Sequence, residues 1–176
     1  MAIKITINIV LIAALVIVQL AFVGNLPYPA SSLKLVLIAL LYILVLVSLK
    51  SSLWWAIGSG ALADIYAMDF FGTSILQLLV IVMIMHLLLV KYFTDRSIYT
   101  FIALASIALL TQDAVRGLAG FAGGLIYGSP PDLSFEFFIY EGYALLVNLA
   151  VVAILFYFVN YITVRFKPVF LIRKQK

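Results

Sequence analysis

Asp64, Asp113, Glu141 and His86 are four side chains able to do chemistry that lie in or beside long apolar stretches of this 176-residue sequence. A charge at the centre of a bilayer costs roughly 2.5–3.5 kcal/mol on insertion scales, so each needs a partner, an interface or a task. Two aspartates in a membrane could share one proton and act as an acid–base pair. A histidine with acidic neighbours could ligate a metal. Asp113 precedes Arg116 by three residues, a spacing at which side chains meet on a helix, which predicts a local ion pair that Gln112 can join. Glu141 stands at the start of a helix and shares a face with Asn148. His86, within Met83-Ile84-Met85-His86-Leu87, has no acid on its own turn, which favours a hydrogen bond between helices over metal binding.

The spacing does not support hydrolysis. Gly58-Ser59-Gly60 is followed by Ala61, so a Gly-x-Gly-Asp proteolytic pattern is missing, and no Gly-x-Ser-x-Gly elbow occurs. The glycines of 117–124 lack the Lys-Ser/Thr of a phosphate loop and predict a packed or re-entrant segment. With no cysteine there is no thiolate nucleophile or cysteine metal site. These residues predict no catalytic group, no metal, no cofactor and no enzymatic activity.

The elements that must position these residues follow from composition. Only 10% of the chain is charged and 66% is hydrophobic, against roughly 25% and 45–50% in soluble domains. Lipid is the expected solvent, and the net charge of +4 is read as topology rather than as a nucleic-acid surface. Apolar runs at 5–23, 33–49, 53–68, 74–90, 97–117 and 137–164 predict an all-α, polytopic membrane protein of about six spans in one domain, residues 1–176. The third run is the shortest. The first, preceded by Lys4, is too long for a secretory signal core and lacks a cleavage site, which predicts a retained helix. Pro27, Pro29, Pro130, Pro131 and Pro168 all fall outside the runs, as helix breakers should.

Of the 11 basic residues, Lys4, Lys50, Lys91, Arg96, Arg165, Lys167, Arg173, Lys174 and Lys176 fall on one side of such a bundle. Only Lys34 and Arg116 fall on the other. The positive-inside rule then puts both termini in the cytoplasm. Asp64 lies on a stripe with Ala56, Gly60 and Ala67, a small-residue face that lets helices approach closely in lipid. Two readings stay open for it: a site that lines a cavity or contacts a partner, or a structural carboxylate that bonds a neighbouring helix or reaches toward Asp69. Asn8 and Gln19, eleven residues apart, share one face of the first helix and are expected to join helices.

The stretch Gly60-Ala61-Leu62-Ala63-Asp64-Ile65-Tyr66-Ala67-Met68-Asp69-Phe70-Phe71-Gly72 resembles the signature of the bacterial rod-shape-determining MreD family. That signature has a glycine, three apolar residues, an aspartate, a short loop and a second glycine before the next helix. The resemblance implies a six-helix fold like that of the substrate-binding subunits (S-components) of energy-coupling-factor transporters. It also implies the bacterial cytoplasmic (inner) membrane, and a non-enzymatic scaffold role in cell elongation with the bitopic MreC, the filament protein MreB and peptidoglycan synthases. Gly60, Asp64 and Gly72 carry over as motif and partner-contact candidates. Asp69, Phe70 and Phe71 depart from the Gly, Ser or Pro common in that loop.

Two rivals remain. A transporter substrate-binding subunit would share the fold, but the first helix has Ala13, Ala14 and Ala21 without the Ala-x-x-x-Ala pair used for docking on a transport module. An intramembrane hydrolase would have to be built on Asp64 and Asp113.

Overall fold

An apolar segment in lipid must satisfy its own backbone, which a helix does within one segment. The computed structural model describes residues 2–67, 72–93, 97–127 and 135–170, with side chains over 6–66, 72–93, 97–115, 117 and 139–161. Six α-helices follow in order: α1 Ala2–Ile17, α2 Leu35–Leu46, α3 Leu49–Ala67, α4 Thr73–Tyr92, α5 Ile98–Tyr127 and α6 Phe135–Phe170. Between α1 and α2 the chain passes through a π-turn, Val18–Phe22, and two 3-10 turns, Val23–Asn25 and Ala30–Ser32. No strand occurs among the described residues. Thr6–Asn25, Thr73–Tyr92, Ile98–Val115 and Ile139–Tyr161 are each long and apolar enough to cross a bilayer. The chain is therefore an all-α membrane protein.

α2 is the hub. A helix apolar all round belongs in a core, and Leu37, Ile38, Leu40 and Leu41 of α2 are all buried. Around it pack α3, α4 and α5, while α1 leans mainly on α3. Tyr42, Phe101 and Phe156 stack in sequence where α2, α5 and α6 meet, and the Tyr42 hydroxyl donates to the Val152 carbonyl at 2.7 Å. Ile7, Phe22, Leu87, Val90, Ile154 and Phe158 point outward, as side chains solvated by lipid tails do.

The boundaries differ from expectation in four places. The run at 33–49 is not one helix. Lys34 belongs to the preceding loop, and α2 stops at Leu46 because Ser48 opens a new helix, its Oγ accepting the Ser51 N–H at 3.2 Å. α2 has 12 residues, about 18 Å at 1.5 Å per residue, against a hydrocarbon core of about 30 Å. The short element is thus α2. α3, expected to be short, gains Leu49–Ser52 and reaches 19 residues.

α5 continues as helix through the glycines to Tyr127, so of the packed and re-entrant alternatives the backbone is not re-entrant, and the run extends past its expected end near Gly117. α6 runs for 36 residues and includes Pro168, which was expected beyond its end. A proline removes one helical hydrogen bond without forbidding the turn, and membrane helices tolerate this.

Candidate functional site

The polar residues gather at one end of the bundle, and the turn between α3 and α4 is its first component. Gly60 is buried where the two helices cross, and a Cβ placed there would stand 2.6 Å from the Ile75 Cα and 2.8 Å from its N. Only glycine permits that approach. One helical turn later Asp64, 2% exposed, reaches the start of α4. Its Oδ2 accepts the Gly72 N–H at 2.7 Å, and its Oδ1 accepts the Ser74 N–H at 2.8 Å and the Thr73 hydroxyl at 3.3 Å.

The first N–H groups of a helix have no intrahelical partner, and the positive end of the helix dipole favours a carboxylate. Asp64 answers both needs from a different helix. Gly72 takes the left-handed backbone, φ 105°, which a side chain would strain. Ala56, fully buried, continues the stripe, whereas the side chain of Ala67 and all of Asp69 lie outside the described residues. Of the two readings of Asp64, the geometry is that of a carboxylate bonding a neighbouring helix. Turned inward, it offers no surface for direct contact with another protein.

The second component surrounds the start of α2. The Lys34 ammonium pairs with the Asp113 carboxylate, a contact the sequence spacing does not point to. The side chain of Arg116 lies outside the described residues. Lys34 reaches Asp113 because it precedes α2 in a loop held against α6. Asn148, fully buried, accepts the Lys34 N–H at 2.8 Å and donates to the carbonyls of Ser32 and Ala144 at 3.0 and 2.8 Å. The Tyr28 hydroxyl donates to the Tyr140 carbonyl at 2.6 Å. Gln19, in the π-turn, accepts the Val36 N–H at 2.7 Å through Oε1. Gln19 thus joins helices as expected, while Asn8 is exposed.

Between these components lies a cavity of about 760 Å³, walled by the π-turn, α2, α3, α4 and α5. Gln19, Lys34, Ser59, Thr73, Ser74, Gln77 and Gln112 supply its polar wall. A second space of about 270 Å³ adjoins it, bounded by Lys34, Gln112, Asp113 and Glu141 among others. Gln77 donates to the Gln112 backbone carbonyl at 3.3 Å. The Gln112 Oε1 is buried and has no donor among the described residues.

Glu141 is half-buried beside Lys34 and Asp113, while its expected companion Asn148 is committed to the loop. His86 is half-buried farther along α4 and lines neither space. No group of three or more His, Cys, Asp or Glu side chains forms a metal cluster among the described residues. Asp64 and Asp113 are held by separate partners, the start of α4 and Lys34. Sequence reasoning counted Lys34 only as a charge and passed over Gln77. Their signal was available, since a polar side chain in or beside an apolar run must find a partner.

No family model, no curated protein and no solved structure matches this chain.

Proposed function

We propose that this chain is a non-enzymatic, multi-pass scaffold subunit of the bacterial cell-elongation complex, similar to the MreD family, in the cytoplasmic membrane. The observation that carries the reading is that Gly60, Asp64 and Gly72, the three residues of the resemblance, form one connected unit. Gly60 admits α4, Asp64 caps it and Gly72 turns the chain into it. A signature of this kind preserves the shape of a helical hairpin rather than a reactive group. Partner contact would then fall to the outward faces that the hairpin holds in place. The distribution of basic residues supports an orientation with the Asp64 end outside and both termini in the cytoplasm.

The test is co-expression with a bitopic MreC-like protein and purification in mild detergent through a tag on this chain. Stoichiometric co-elution is expected. Separation of the two under conditions that keep both folded would contradict the scaffold reading.

The 760 Å³ cavity favours a second reading, a substrate-binding subunit of a small-molecule transporter, because its volume lies within the roughly 300–1,000 Å³ of ligand sites. A water-soluble molecule retained through purification would support that reading over the scaffold.

A further inference from the structure

The cavity is polar on its inner wall and apolar on one side. Leu20 of the π-turn and Leu76 and Val80 of α4 line it, yet they are 39%, 65% and 39% exposed. Their exposure places an opening of the cavity on the side between the π-turn and α4, two elements that do not pack closely against each other among the described residues. Leu76 and Val80 belong to a helix long and apolar enough to cross the hydrocarbon. The opening therefore faces lipid.

The inner wall indicates what enters. Its cation, Lys34, is already neutralised by Asp113, and Glu141 stands close by, so the site carries no surplus positive charge for an anion. Gln19, Ser59, Gln77 and Gln112 are neutral. Gln112, only 9% exposed, has a side-chain oxygen that no donor reaches among the described residues. A buried acceptor left unpaired is costly, and Gln112 belongs to the cavity lining, where a donor on a bound molecule would satisfy it.

We propose that the cavity holds the headgroup of a membrane lipid, net neutral and bearing N–H or O–H donors, with its acyl chains leaving over Leu20, Leu76 and Val80. This inference rests on the cavity and not on the scaffold reading. The same shape could take a free polar molecule instead, and the experiment separates the two sources.

The purified chain is placed in nanodiscs that contain equal parts of phosphatidylethanolamine, phosphatidylcholine and phosphatidylglycerol, and retained molecules are weighed by native mass spectrometry. Phosphatidylethanolamine and phosphatidylcholine have the same net charge and differ in N–H donors, so the donor requirement is read directly. Retention of phosphatidylethanolamine over phosphatidylcholine by roughly tenfold is expected, as one hydrogen bond permits, with phosphatidylglycerol weaker still.

Gln112→Leu should erase that preference. Leu76→Trp, at an exposed position, should narrow the opening and reduce retention of all three without changing the melting temperature. Equal retention of the two zwitterionic lipids, a preference for phosphatidylglycerol, or no retained lipid would overturn the proposal. So would a bound water-soluble molecule, or a lipid preference that both variants leave intact. Apart from a bound water-soluble molecule, which would also favour the transporter reading, none of these results bears on the scaffold reading, and co-elution with the bitopic partner tests that one separately.

Discussion

Gly60 and Ile75 bring the backbones of α3 and α4 so close that a methyl group on the glycine would overlap the Ile75 Cα at 2.6 Å. The contact joins backbone to backbone, so no side-chain rotation can relieve it. Four residues on, Asp64 caps the helix that Gly60 admits. The glycine and the aspartate therefore serve one junction, and the spacing of one helical turn is what lets both reach it.

Gly60→Ala should force α3 and α4 apart and destabilise the protein by about 1–3 kcal/mol, the range for overpacking a tight contact. Thermal unfolding in detergent checks this. Gly117→Ala, where an added Cβ meets nothing within 4 Å among the described residues, is the control and should be neutral or slightly stabilising.

Substitutions at Asp64 should grade by how many α4 amides they still satisfy. Asp64→Asn keeps one acceptor oxygen and should lose less than Asp64→Leu, which keeps none. A loss of about 1–3 kcal/mol is expected for the leucine variant, since buried donors are left unpaired. Equal stability of the two variants would mean that the cap contributes through charge or packing alone.

Gly72→Ala should destabilise by about 1–2 kcal/mol through its left-handed backbone. Gly72→Asn should cost less, because asparagine tolerates that region. The order of their melting temperatures is the readout.

Asp113→Asn leaves the half-buried Lys34 ammonium without its counter-ion and should lower stability by about 1–3 kcal/mol. The double variant Lys34→Met with Asp113→Leu should recover most of that loss, because an apolar pair removes the need for compensation. A double-mutant cycle isolates the coupling.

Much of the fold was legible from local signals, and what escaped was set by partners distant in sequence. Six helices, the loop after the first and the small-residue face of Ala56, Gly60 and Asp64 follow from hydropathy, proline placement and period. The break at Val47-Ser48 was hidden, because no glycine or proline marks it and the serine that starts α3 sits within a run still apolar enough to read as one span. For Asp113 the three-residue spacing points only to Arg116, whose side chain lies outside the described residues, and no local pattern points to Lys34. Its observed partner, Lys34, is brought to it by a loop that Asn148 and Tyr28 fasten to α6. The cavity could not be read from any one segment, since Gln19, Gln77 and Gln112 come from three different helical elements and converge only after packing.

The central claim is that Asp64 holds the start of α4 from another helix. Hydrogen exchange of the Gly72 and Ser74 amides, followed by mass spectrometry of the protein in nanodiscs, tests it most directly. Both amides should be protected in the native protein and should exchange much faster in Asp64→Ala, with the middle of α4 unchanged. Exchange at these amides that is already fast in the native protein, or equally slow in Asp64→Ala, would contradict it.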